Sequence, residues 1–257
     1  MKDKTVAYSP STVDEGVFLT KAAEQSEQYD DMLEFIKPLL DKTEELTVDE
    51  RCLVSVTFKT LCDGKRSAWQ VISNLEQNQK YESVKEPIGK YKKFVEDELK
   101  SLCKHAIEVI EEKLFNKTVT TEGKVFFLKI KGDYYRYMAE ITTGPEFDDN
   151  ADKALKTYLE AKKVSSEGLL DFLNPVRLGF LLNFSVFFFE IKKNPKEACQ
   201  IAKAAVDEAT SGFQMLEEEQ YKDTTYIMQM LKENLIAWTS DVNEGDESPD
   251  KADASFA

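Results

Sequence analysis

One histidine, His105, stands in 257 residues. That excludes His-rich metal sites and leaves histidine acid–base chemistry a single candidate. Cysteine is scarce as well. Cys52, Cys62, Cys103 and Cys199 form no CxxC pair and no zinc spacing, a scatter that suits reduced, mostly buried thiols of an intracellular protein. Bases are outnumbered, 34 Lys and Arg against 48 Asp and Glu, for a net charge of −14. So acidic a chain is a poor coat for nucleic acid or anionic lipid, and no nucleic-acid partner is expected. A local basic cleft could still bind an anion. The most apolar stretch, 179–191, is too short to cross a bilayer and carries Asn183 and Glu190. Residues 1–12 lack the apolar core of a secretory signal. No membrane insertion is therefore expected, and the location expected is the cytoplasm, with the nucleus also open. Phosphate-loop, dinucleotide-fold, zinc-protease and serine-elbow motifs are all missing. These absences point to a binding protein with no catalytic residues, no metal and no cofactor.

Ten Gly and seven Pro leave few breaks, and apolar residues recur at spacings of three and four. The pattern predicts an all-α fold of about nine antiparallel helices with short connections. The first two cover 17–29 and 30–41, the second kinked or shortened by Pro38. Thr47 and Glu50 form a capping box that opens a helix to about Gln79. The next ends near Phe115, its regular part starting near Pro87. Further helices are predicted over 121–143, closed by Gly144 and Pro145, and over 150–170. Another opens at Asn174 and Pro175, a further one at Asn194 and Pro195, and the last spans 217–238. Pattern alone treats 1–240 as a single helical domain. Residues 241–257 hold six acids against Lys251 and read as a disordered acidic tail.

Three pairs sit seven apart and therefore share a helix face: Lys59 with Arg66, Lys129 with Arg136, Asn183 with Glu190. The run from Asp133 to Tyr137 is rich in phenol and charge for a helix interior. One reading is solvated surface charge paired with neighbouring acids. The other is convergence of two Arg, a Lys and a Tyr hydroxyl on one anion, a cluster of like charges that costs stability when empty. Phosphate fits that set. A phosphorylated side chain carries about −1.5 to −2 charges and three acceptor oxygens, which Arg forks and a Lys ammonium meet with charge-assisted hydrogen bonds.

The segments Arg51-Cys-Leu-Val-Ser-Val-Thr-Phe-Lys-Thr60 and Tyr221-Lys-Asp-Thr-Thr-Tyr-Ile-Met-Gln-Met-Leu-Lys-Glu-Asn-Leu-Ile-Ala-Trp-Thr-Ser240 resemble the two signature segments of the 14-3-3 family. Lys131 to Tyr137 and Arg177 to Val186 agree with it, and the likeness covers roughly residues 17–240. The resemblance implies a nine-helix cup, an amphipathic groove for phosphoserine or phosphothreonine peptides of client proteins, and a dimer joined through N-terminal helices. Carried over by position, Lys59, Arg66, Arg136 and Tyr137 bind the phosphate. Asn183 and Asn234 hold the peptide backbone, with Glu190 and Trp238 beside them and Lys129 beside Arg136. Leu182, Val186, Ile227 and Met230 form an apolar wall, unless they are plain core.

Departures from the family pattern are specific. Gln70 stands where a basic residue is usual, and Tyr226 and Met230 replace leucines. Ala22, Ser26, Ala68, Ile72 and Tyr91 match the dimer contact, homomeric or heteromeric, while Ala68 replaces a phosphorylatable serine. Gln28 replaces the arginine that pairs with the acid at Glu98, and Phe94 the lysine that meets Asp31, unless Lys93 substitutes. A weak dimer is expected. Ser248 and Ser255 in the tail are expected phosphosites whose modified forms bind the chain's own groove. The competing function is a helical scaffold that binds unphosphorylated partners.

Overall fold

A computed structural model describes residues 8–41, 45–212 and 218–246, with the backbone alone at 218–221 and 241–246. Among them every regular element is helical. The order is α1 Val13–Gln25, α2 Tyr29–Phe35, α3 Lys37–Leu40, α4 Val48–Gln77, α5 Lys85–Val109, α6 Thr121–Glu140, α7 Gly144–Glu167, α8 Pro175–Glu190, α9 Pro195–Gly212 and α10 Glu218–Asp246. Counting α2 and α3 as one helix broken at Ile36, ahead of Pro38, gives the expected nine α-helices among the described residues.

Local chemistry explains most boundaries. Thr47 Oγ1 accepts from Glu50 N at 3.3 Å while Glu50 Oε2 accepts from Thr47 N at 2.8 Å, so the capping box forms. Asn174 Oδ1 accepts from Val176 N and Arg177 N at 2.9 and 3.2 Å, and Pro175 takes the first helical position. Two expectations fail. Gly144 and Pro145 open α7 instead of closing α6, six residues before the expected start, because Pro in a first turn needs no N–H. Gly144 serves there at φ +60°. At the other end, α10 runs past the expected boundary at 240 to Asp246, since no proline stops it before Pro249. Ser248 and Ser255 lie outside the described residues.

The chain divides into two compact units, Met1–Thr157 and Tyr158–Ala257, where pattern alone treats 1–240 as one domain. In the first unit, Leu53, Val54, Phe58 and Cys62 of α4 meet Leu99, Leu102, Cys103 and Ala106 of α5 and Phe127, Ile130, Tyr134 and Met138 of α6. Each large apolar side chain so buried contributes about 1.5–3 kcal/mol, and this core fixes which stripe of α4 and α6 is left for function. Gly16 is a contact point: a Cβ there would lie 2.6 Å from the Phe35 carbonyl oxygen, so α1 meets the end of α2 only as glycine. In the second unit, small residues Ala198, Ala202, Ala205 and Ala209 run along one stripe of α9, in a core shared with Leu178 and Leu182 of α8 and Met228 and Leu231 of α10. Tyr158 is fully buried against Phe180, Phe184 and Phe187, with ring centroids 5.4–6.4 Å away.

Candidate functional site

Lys59, Asp63, Arg66 and Gln70 follow one another at four, three and four residues, one stripe of α4 beside the core stripe of Phe58 and Cys62. On α6 the corresponding polar set is Lys129, Asp133, Arg136, Tyr137 and Glu140. The two helices bring two guanidiniums to one phenol. Arg66 Cζ lies 4.0 Å from the Tyr137 ring centroid and Arg136 Cζ lies 4.8 Å from it. Such cation–π contacts hold both forks in place without spending their hydrogen bonds.

Carboxylates brace the cations. Glu140 Oε2 accepts from Arg66 Nε at 2.8 Å and meets Nη2 at 2.7 Å, while its Oε1 accepts from Gln70 Nε2 at 3.0 Å. Asp133 Oδ2 accepts from Lys129 Nζ at 3.1 Å, and its Oδ1 lies 4.0 Å from Arg136 Nη2. Asp63 Oδ1 lies 3.6 Å from Arg66 Nη1. This corrects the picture of a bare like-charge cluster: Arg66, Lys129 and Arg136 stand among three carboxylates, Asp63, Asp133 and Glu140. Arg66, Lys129 and Arg136 pair with acids, and the two guanidiniums also meet at the ring of Tyr137. Sequence reading names Asp133 but not Asp63 or Glu140, although each lies three or four residues along its own helix from a base of the set. Burial works against the charge on Arg66, but Glu140 outweighs it and raises its pKa. Burial, with Asp133 next, pushes the Tyr137 phenol well up, so at neutral pH it is a hydroxyl donor.

Lys59 is exposed and makes no hydrogen bond or ion pair with the described residues. Arg136 is buried, 6% exposed. In the second unit, Asn183 and Asn234 are half-buried and Glu190 is exposed. Leu182 and Trp238 are core residues at 6% exposure each, Trp238 stacking on Phe189 at 4.8 Å and 15°. Val186 and Ile227 pack against that core part-buried, and Met230 is the most open of the expected wall. Of the dimer set, Ala22 and Ala68 are part-buried, Ser26 and Tyr91 exposed, and Ile72 already buried within the unit. His105 is exposed, edge-on to Phe58. All four cysteines are free: Cys62 and Cys103 are buried with sulfurs 3.9 Å apart, and Cys52 is exposed. Among the described residues no His, Cys, Asp or Glu group is placed to hold a metal ion, and no helix is long and apolar enough to cross a membrane.

These features define a class: among the described residues, an all-helical protein that gathers two guanidiniums, a phenol and bracing carboxylates where α4 meets α6. Comparison narrows it. Residues 19–239 match the family described as 14-3-3 protein. The chain is 45% identical to the 14-3-3-like protein GF14 epsilon of Arabidopsis thaliana, over 92% of this chain and 94% of that one. It is 44% identical to 14-3-3 protein 7 of Solanum lycopersicum, over 90% and 92%. It is 41% identical to the checkpoint signal transducer rad24 of Schizosaccharomyces pombe, over 91% and 87%. The chain belongs to the 14-3-3 family. It is a phosphopeptide-binding adaptor in signalling, and members of this family are adaptors rather than enzymes that bind clients and dimerise.

Proposed function

We propose that Lys59, Arg66, Arg136 and Tyr137 hold the phosphate of a phosphoserine or phosphothreonine peptide, with Lys129 beside them. The observation that carries this is the approach of Arg66 and Arg136, from different helices, to the single ring of Tyr137. Each charge-assisted hydrogen bond to the phosphate contributes about 1.5–3 kcal/mol. Asn183 and Asn234, amides that donate and accept, take the peptide backbone, with Glu190, Val186, Ile227 and Met230 giving it polar and apolar edges. Leu182 and Trp238 support that surface from the core. The protein acts by masking, clamping or bridging clients, without catalysis, cofactor or metal, in the cytoplasm and nucleus. The test is pull-down of clients from a lysate with and without phosphatase treatment. Loss on dephosphorylation is expected, and retention would favour the phosphate-independent scaffold.

We further propose that the dimer, homo- or heteromeric, is weak. Phe18, Val71, Leu75, Tyr91 and Phe94 are exposed on α1, α4 and α5 and supply apolar area. The charge pairs are depleted. Glu98 is taken by Lys65 of its own chain at 2.7 Å, and Lys93 is spent on Asp97 at 2.9 Å rather than replacing the lysine missing at 94. Apolar packing offsets such losses only in part when Ile72 is already covered. Sedimentation is expected to show monomer at nanomolar concentration, and a dimer persisting there would refute the proposal.

The tail proposal concerns Ser248 and Ser255. Phosphorylated, either serine becomes a tethered competitor at high effective concentration for the chain's own groove. A truncation at Thr239 is expected to bind one client phosphopeptide more tightly than tail-phosphorylated full-length protein, and equal affinities would sink the idea.

A further inference from the structure

We propose that Asp63 is the selectivity residue of the phosphate pocket: it admits a segment phosphorylated at one position and rejects one whose phosphorylated residue is flanked by further negative charge. This rests on the phosphopeptide reading above. Arg66 presents two edges. Glu140 takes Nε and Nη2 at 2.8 and 2.7 Å, so Glu140 fixes the guanidinium. Nη1 is the corner left for a ligand, and the carboxylate beside it is Asp63 at 3.6 Å, too far for a hydrogen bond. Asp63 therefore does little to hold Arg66. Its side chain is 42% exposed, so its charge faces the solvent from which a ligand arrives.

Distances decide what that charge does. An anion bonded to Nη1 at about 2.8 Å stands within roughly 6.5 Å of Asp63, inside the ~8 Å Debye length of physiological salt. One phosphate has Lys59, Arg66 and Arg136 to outweigh this repulsion. A second anion beside it finds those cations already used and Asp63 still unpaired by any close hydrogen bond. A Lys or Arg in the same place meets a carboxylate instead. The other two carboxylates are committed: Glu140 to Arg66 and Gln70, and buried Asp133 to Lys129. Selectivity by a built-in repulsive element is the general device.

The experiment compares wild type, Asp63→Asn and Asp63→Glu by fluorescence anisotropy. The probes are two peptides with one phosphoserine, one flanked by Glu and the other by Lys, plus their unphosphorylated forms. Asp63→Asn is expected to tighten the Glu-flanked phosphopeptide roughly three- to tenfold relative to the Lys-flanked one, which loses an attraction as the shared phosphate loses a repulsion. Asp63→Glu, which keeps the carboxylate, is expected to keep the wild-type preference. A merely structural effect would move both peptides by the same factor. That result, or no change in either, overturns the proposal. Equal wild-type affinity for phosphorylated and unphosphorylated peptides would instead overturn the phosphate reading beneath it.

Discussion

Lys59→Glu is expected to weaken binding of a singly phosphorylated peptide by on the order of a hundredfold or more, with no loss of fold. The substitution removes one charge-assisted hydrogen bond of about 1.5–3 kcal/mol and adds a like charge beside the phosphate. Every 1.4 kcal/mol is about a factor of ten in affinity. Lys59 is exposed and holds no described partner, so stability should change by no more than about 0.5 kcal/mol. Isothermal titration beside a thermal melt checks both halves. Unchanged affinity would remove Lys59 from the pocket.

Arg136→Ala gives a different result, and the difference tests the bracing. On the like-charge reading of the sequence, a cluster that costs stability when empty, losing one cation would leave melting close to wild type. In the structure Arg136 is buried, lies over Tyr137 and stands 4.0 Å from the buried Asp133. Removing it leaves that carboxylate with Lys129 as its remaining close cation in the pocket, at 3.1 Å. A loss of about 1–3 kcal/mol follows, several degrees of melting temperature at about 2–4 °C per kcal/mol for a chain of this size. Binding loss in this variant therefore mixes two causes, and Lys59→Glu is the cleaner probe.

What could be read from the sequence follows the range of the interactions. The Thr47–Glu50 box, the Asn174 cap and the Pro38 break are decided within four residues, so spacing finds them. The stripe of Lys59 and Arg66 is equally local. Gly144 and Pro145 fit a helix end and a helix start alike, and only the turn at φ +60° decides. Glu140 was not legible as the partner of Arg66, because the contact joins residues 74 apart through the packing of α4 on α6. Trp238 illustrates the same limit. The resemblance sets it beside Asn183 and Asn234, but its stacking on Phe189 places it in the core.

The second unit offers the largest stability effect. Tyr158→Ala is expected to cost about 3–5 kcal/mol, the range for truncating a fully buried aromatic. Tyr158 is 0% exposed and its ring meets Phe180, Phe184 and Phe187 at 6.4, 5.4 and 5.5 Å. All three lie on α8, so one ring clamps two turns of that helix to α7. Relaxation cannot refill the space easily, because Phe180 and Phe184 are themselves stacked at 19° and Phe184 meets Phe188 edge-on. At about 2–4 °C per kcal/mol the melting temperature should fall by on the order of 10 °C. Tyr158→Phe keeps the ring and is the control, expected to cost no more than about 1.5 kcal/mol for the hydroxyl. Asn183 is carried on the same helix, between Phe180 and Phe184 in sequence. Loosening α8 should therefore lower peptide affinity in Tyr158→Ala even though every pocket cation is intact. Circular dichroism melts of the two variants, beside their peptide titrations, decide the matter. Equal melting of Tyr158→Ala and wild type would mean that the aromatic cluster does not hold α8, and with it the proposed backbone-binding amide, in place.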